Sequence, residues 1–340
     1  MAKSVKLSDI AEKLGVSKVT VSKALSNQKG VSEEMRRKIK ELAAELGYVS
    51  PSSSKLSRDA KSYNIGILVA ERYFDQTQSF YWSMYQEAAI YALSKNSFTM
   101  LEVVSSTDEE ECSVPKLIES DKINGIIIIG VMSRAYLDMM ARQNDIPVVY
   151  LDFYEPEARC ESIVSDSFYG MYYMTDYLCR NGHRKIAYVG TVRATNSITD
   201  RYMGYCKALL EHDIDLRKDY VIDDRYPGTG SRTGYKLKLP KDMPTAFACN
   251  CDVVALELID LLEEKGYRVP EDISVVGFDN YAFSNKDHIE LSTYAVDFKA
   301  MAKLAVKKLL KKMDGDMFVQ APSVVEGRMI PGKTVKNIEP

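Results

Sequence analysis

The residues that build metal and redox centres are scarce and scattered in this chain. Its 340 residues include three histidines, His183, His212 and His288, and six cysteines, Cys112, Cys160, Cys179, Cys206, Cys249 and Cys251, with no CxxC and no paired Cys/His spacing. That pattern argues against a zinc cluster and reads as reduced thiols rather than a disulfide framework. The opening residues are polar and charged, without the apolar run of a secretory signal. The longest apolar stretch, GIIIIGVM, is far short of a membrane span. No GxGxxG follows a strand, and no GxSxG elbow occurs. GRMIPGKT, Gly327 to Thr334, has Walker A spacing, but only VKNIEP follows it, too little for the helix whose N-terminus would hold phosphate. The expectation is a cytoplasmic protein with no cofactor, no metal and no membrane contact.

What is present is a charge asymmetry. The formal charge of -3 divides unevenly: Met1 to Arg58 holds 12 Lys/Arg against 6 Asp/Glu, and the rest holds 33 against 42. A compact basic end on an acidic body points to a polyanion such as DNA as the partner of that end alone.

KLSDIAEKLGVSKVTVSKAL, Lys6 to Leu25, contains two short helical patterns about Gly15. Ile10, Ala11 and Leu14 fall on one face of the first; Ser17 caps the second, which keeps Val21, Ala24 and Leu25 together. SEEMRRKIKELAAELG adds a third helix, opened by Ser32 and closed by Gly47. The serine-rich YVSPSSSKLSRDAKS reads as a linker. From Asn64 onward the apolar strands IGILVA, FTMLEVV, GIIIIG, PVVYLD, KIAYVG, TAFAC and ISVVGF alternate with helical segments. This is the pattern of α/β doubly wound parallel sheets, and the length favours two lobes about a cleft. The expected organisation is a helix-turn-helix domain over 1–48, a hinge over 49–63 and a two-lobed effector-binding and dimerisation domain over 64–340. One lobe takes about 64–162 and 293–322, the other about 163–292 and 323–340.

A helix-turn-helix needs one helix across the DNA backbone, a tight turn and a second helix that enters the major groove. Lys18, Val19, Ser22 and Lys23 face outward on the second helix, with side chains that can reach phosphates, base edges and a thymine methyl. The alternative is a small helical bundle with a solvated basic face. VKLSDIAEKLGVSKVTVSKALSNQKGVSEEMRRKIKELAAELGY resembles the N-terminal headpiece of the lac repressor family of bacterial transcription regulators. NIGILV, IPVVYLD, NGHRKIAYVG, DRYMGY, PTAFACNCD, VPEDISVVGFDN and LSTYAVDFKAMAKLAV resemble family segments in the family's order, over nearly the whole chain.

The resemblance implies a homodimer that places two headpieces on the half-sites of an operator. Lys18 and Val19 match the base-reading pair, and Thr20, Ser22, Lys23, Asn27 and Ser32 match positions that touch bases or phosphates. The family's hinge helix wedges a leucine into the minor groove. Here Leu56 stands one residue early and Ser57 occupies the usual place, so either the hinge helix shifts by one residue to insert Leu56, which is the expectation, or the central kink is weaker than usual. No leucine heptads follow KKLLKKM, so a dimer rather than a tetramer is expected. KKLLKKM itself reads as the solvated face of a helix packing Met301, Leu304, Ala305 and Leu309 on a sheet.

In the body the resemblance is to the periplasmic sugar-binding fold, with a small ligand between the lobes. Phe80, Tyr81 and Trp82 match an aromatic loop that can stack on a sugar or base, although some of them could simply pack the next helix. Asp152 and Asp279 lie past the carboxyl ends of strands, where open sheets bind ligands; a carboxylate there accepts hydroxyls, or Asp279 caps a helix. Arg201 matches the effector-binding arginine, or pairs with Asp200 or another acid. Ser197, Tyr226 and Phe298 match further lining positions, Tyr226 in a segment shorter than usual. Cys251 and Ser167 stand where relatives often carry asparagine, which removes a donor and an acceptor at each place.

These features read as a DNA-binding transcription regulator, a repressor controlled by a small effector, with a sugar expected. The alternatives are a cytoplasmic sugar-binding protein without a regulatory role, or a regulator answering to a non-sugar ligand or a phosphoprotein. An enzyme would need a placed base, nucleophile or metal, and the cleft carboxylates are better explained as hydroxyl acceptors.

Overall fold

Amphipathic helices near the start, and continuous buried apolar strands alternating with helices thereafter, divide the chain. A computed structural model describes residues 7–25, 30–46, 61–74, 80–142, 146–157, 160–228, 230–281, 289–316 and 321–338, in two compact units, residues 1–61 and 62–340. Asn27 and Leu56 lie outside the described residues.

The first unit holds α1 (Leu7–Leu14), α2 (Lys18–Leu25) and α3 (Glu33–Glu45). Ile10, Ala11, Val21, Ala24, Ile39 and Ala43, one stripe from each helix, close a small core. Gly15 takes φ +63°, a left-handed turn that a β-carbon would oppose. The Ser17 hydroxyl then accepts the Thr20 N–H at 3.0 Å and caps α2, and Ser32 does the same for Met35 at 3.3 Å at the head of α3.

The second unit is α/β. Its first sheet orders β2 (Phe98–Val104), β1 (Asn64–Ala70), β3 (Gly125–Ile129), β4 (Val148–Leu151), β5 (Glu161–Ser165) and β11 (Ser323–Val325), all parallel. The strands are continuous apolar runs because both faces are covered. Ile65, Ile67 and Val69 pack with Met84 and Ala88 of α4 (Phe80–Ser94) and Met301, Ala305 and Leu309 of α11 (Phe298–Met313). Leu68 and Ala70, pointing the other way, pack with Tyr136, Leu137 and Met140 of α7 (Arg134–Ala141). The short α5 (Ser106–Glu110) and α6 (Lys116–Glu119) complete that side.

The second sheet orders β7 (Val221–Ile222), β6 (Ile186–Val189), β8 (Ala246–Cys249) and β9 (Ser274–Val276), again parallel. One face meets α10 (Asp252–Glu264) through Val254, Ala255, Leu258 and Leu262. The other face meets α8 (Ser167–Arg180) and α9 (Asn196–Glu211) through Met171, Met174, Leu178, Tyr205 and Leu209. An antiparallel ribbon of β10 (Thr293–Ala295) and β12 (Arg328–Ile330) runs alongside, bridged to the second sheet at Val276–Ser292 and Asp279–Ala295.

The chain therefore passes between lobes three times, after β5, after β10 and between β11 and β12. All three passages differ from the expected boundaries by a few residues, the first because β5 of the first sheet runs to Ser165. Ser323–Val325 belongs to the first sheet because it pairs with Ile163–Ser165, and Thr293–Ala295 lies against the second because it bridges to β9. The Walker-like stretch forms β12 and a turn, and Thr334 is buried, donating to Val275 O at 2.6 Å. Among the described residues no helix is long and apolar enough to cross a membrane, and no group of three His, Cys, Asp or Glu could hold a metal ion.

Candidate functional site

In the first unit, α2 presents Lys18, Val19, Ser22 and Lys23 outward, while Val21 and Ala24 are fully buried. Val19 is 63% exposed on the same ridge as Lys18, Ser22 and Lys23. Thr20 is half-buried with its hydroxyl 2.9 Å from that of Ser17, and Ser32 is exposed and committed to its cap. The helix thus offers two ammonium groups, two hydroxyls and one methyl-bearing side chain on a ridge held by its opposite face.

In the second unit the site forms past the carboxyl ends of the strands of both sheets. Asp152 follows β4 at φ +69° and Asp279 follows β9 at φ +98°, a left-handed backbone that costs of order 1 kcal/mol or more in a non-glycine residue and collects at working sites. Asp152 is 8% exposed and accepts the Tyr81 hydroxyl at 3.1 Å. Burial, chiefly, lifts its carboxyl to about 7; Arg201 opposes the rise and Asp279 adds to it. Tyr81 stacks obliquely on Tyr73, centroids 4.5 Å apart, and burial and the Asp152 charge hold its hydroxyl protonated. Gly130 makes room for this pair: a β-carbon there would come within 2.7 Å of the Tyr73 ring.

From the other lobe Arg201, on α9, is 5% exposed. It lies over the Phe278 ring at 3.9 Å, donates to Asn250 O at 2.6 Å, and donates to Asp279 Oδ1 at 3.0 Å. Its Nε finds no acceptor among the described residues. Burial pushes the Asp279 carboxyl up and Arg201 holds it back, while the surrounding acids keep the guanidinium charged. Of the acids Arg201 could pair with, the structure gives Asp279 rather than the adjacent Asp200.

The remaining candidates divide. Phe80 joins Tyr281 and Phe298 in an edge-to-face cluster with centroids 5.5 to 6.1 Å apart, and Ser83 and Tyr281 hydroxyls meet at 2.8 Å. Ser197 bonds to Thr195, the cap of α9, at 3.0 Å. Trp82 packs against Phe74 and Tyr85. Tyr226 is not brought to the cluster: it is 46% exposed, its ring against Tyr235, because the preceding residue turns inward instead.

That residue, Arg225, has a side chain 14% exposed and grips Asp224 through Nε and Nη2 at 3.1 and 2.7 Å. Asp224 is fully buried and also accepts the Thr191 N–H at 2.8 Å and Asn250 Nδ2 at 3.1 Å. Sequence reading missed this arginine, although it stands three residues past the end of β7, the position rule that found the two aspartates. Cys251, beside Asn250, has its thiol pushed to about 11 by burial, so it is an uncharged lining group. Ser167, the other residue in an asparagine's place, is buried against Ser165 at 3.1 Å.

A helical unit with a basic ridge, followed by two doubly wound lobes meeting at a buried polar cluster, has the make-up of a DNA-binding regulator with a ligand sensor. The description of bacterial regulatory proteins of the lacI family matches residues 6–51, and that of the periplasmic binding protein-like domain matches residues 175–335. Residues 6–51 and 175–335 thus carry the two domains of a lacI-family DNA-binding transcription regulator. It is 26% identical over 333 residues to the HTH-type transcriptional repressor PurR of Pectobacterium carotovorum subsp. carotovorum (strain PC1), covering 95% of this chain and 96% of that one. It is 28% identical over 311 residues to the probable HTH-type transcriptional repressor ExuR of Bacillus subtilis (strain 168), covering 90% and 91%. Among solved structures, the lac repressor dimer bound to operator and the anti-inducer ONPF superposes with a TM-score of 0.66 at 23% identity, over 98% of this chain and all of that one. The complex of the transcriptional regulator CelR with cellobiose superposes with 0.68 at 20%, over 97% and 99%. At these identities the structures speak for the fold.

Proposed function

We propose that this repressor is a homodimer whose headpieces bind operator half-sites and whose cleft binds a sugar that changes operator affinity. The observation that carries the ligand reading is Arg201. It is buried, held on three sides by Phe278, Asn250 and Asp279, and left with a donor, Nε, that has no acceptor among the described residues. A buried polar atom without a partner costs about 1–3 kcal/mol, and a ligand oxygen removes that cost. Asp152 and Asp279 accept hydroxyls from opposite lobes, and Tyr81 and Phe80 supply apolar ring faces. The fold similarity to a regulator in complex with cellobiose supports the sugar class.

On the DNA side, Lys18 and Val19 read bases and Thr20, Ser22, Lys23, Asn27 and Ser32 hold phosphates or neighbouring bases, with Leu56 wedged at the operator centre. A ligand bridging the lobes favours one lobe arrangement over another, and the same free energy appears at both sites. The test is a thermal-shift screen of sugars on the full-length protein, followed by operator-fragment gel shifts with each hit. A hit that raises Tm and moves operator affinity is expected; a complete sugar panel that moves neither rejects the sugar reading.

A further inference from the structure

Arg225 is held in place by more groups than an exposed ion pair needs. Asp224 spends its oxygens on Arg225, the Thr191 N–H and Asn250 Nδ2, and the Thr191 hydroxyl accepts the N–H groups of both Asp224 and Arg225, at 3.0 and 3.2 Å. Asn250 is shared: its side chain supports Asp224, and its carbonyl receives Arg201. Two guanidinium groups are thereby fixed on one wall of the cleft through a single residue. Through Asn250 the Arg225–Asp224 pair adjoins the Arg201–Asp279 pair, and its charge acts on Asp279 and on Tyr81 and Tyr73 of the opposite lobe. Nε and Nη2 are taken by Asp224, and no described contact occupies Nη1.

A buried ion pair of this kind is a poor source of stability, because desolvation offsets most of its attraction. Its use is to hold a planar fork of donors in one orientation, which suits carboxylate and phosphate oxygens better than single hydroxyls. Arg201, already neutralised by Asp279 and beside Asp152, sits at the hydroxyl-accepting end of the cleft. Arg225 stands beside it on the same wall, joined through Asn250, with Nη1 left for a ligand among the described contacts.

Resting on the sugar reading above, we infer that the effector is an acidic sugar, a sugar carboxylate or a sugar phosphate, whose anionic group is received by Arg225. The experiment is calorimetric titration and thermal shift of the full-length protein with common hexoses and pentoses, the corresponding sugar acids and the corresponding phosphates. One acid or phosphate is expected to bind at least ten-fold more tightly than its neutral parent, and whichever of the two arms wins identifies the anion. R225Q should erase that discrimination while R225K keeps part of it; if R225Q fails to fold, R225K against wild type carries the comparison, with at least a three-fold loss expected for the anionic ligand. A neutral sugar that binds as tightly as its acid and phosphate, or discrimination that survives substitution of Arg225, overturns this assignment and leaves the sugar reading standing. Binding by no member of the panel overturns both.

Discussion

Arg201 lies over the face of Phe278 at 3.9 Å while its fork reaches Asp279, the very next residue, at 3.0 Å. One short segment thus holds both the plane and the end of the guanidinium. The residue is consequently intolerant of lysine, which keeps the charge but has neither the plane nor the fork. R201K is expected to lower effector affinity at least ten-fold, about 1.4 kcal/mol, with operator binding in the absence of effector retained. Calorimetry and gel shifts on the same preparation check both halves. R201A should in addition cost about 3 kcal/mol of stability, because Asp279 is left buried without its cation.

Asp152 and Asp252 both titrate near 7, raised chiefly by burial. A carboxyl whose folded value lies above its unfolded value of about 4 keeps its proton in the native state where the unfolded chain has lost it. These groups therefore add nothing below pH 4, and stability falls as pH rises from about 4 to about 7 and is level above. D152N preserves an acceptor for Tyr81 and removes the penalty. It should be more stable than wild type by about 1–3 kcal/mol at pH 8, and equal to it at pH 4. Urea melts across that range test this, and the same variant should bind effector more weakly.

Gly204 sits where α9 crosses α8. A β-carbon at that point would stand 2.1 Å from the Phe168 carbonyl oxygen. Backbone cannot give way as a flexible side chain can, so G204A should force the helices apart and cost about 2–4 kcal/mol. Thermal unfolding monitored by circular dichroism measures it; a Tm within 2 °C of wild type, about the shift for a fraction of a kcal/mol, would sink the packing argument.

In the headpiece, S17A removes the cap of α2 and should cost about 1 kcal/mol. K18A should weaken operator binding and lessen the slope of log affinity against log salt by about 1, as for one lost phosphate or base-edge cation. V19A should change preference among operator variants and leave the slope alone. Filter binding at four salt concentrations separates the three.

Much of the fold was legible because buried parallel strands have to be apolar on both faces. GIIIIG and PVVYLD announce themselves for that reason. The strand Glu161–Ser165 was not read, since its charge is hidden by pairing with Lys308 of α11, a partner 147 residues away. The three-residue strands β10, β11 and β12 carry Thr, Ser and Arg and lie where the chain changes lobes, so no periodicity marks them. At the site, position past a strand end found Asp152 and Asp279. Which acid pairs with Arg201 depends on the way α9 faces, and the role of Arg225 depends on Thr191 and Asn250, which only the fold brings to Asp224.

The passages between lobes run side by side. β11 pairs with β5 on one side of the junction and β12 with β10 on the other, the bonding continuing at Asp166 to Val325. Such a triple strap resists stretching and shear but yields to torsion, so a single proteolytic nick in it would leave the halves attached and nearly in place. A disulfide stapled across the far rims would fix the angle between the lobes while leaving the cleft residues and the headpiece unchanged, and should uncouple effector binding from operator affinity.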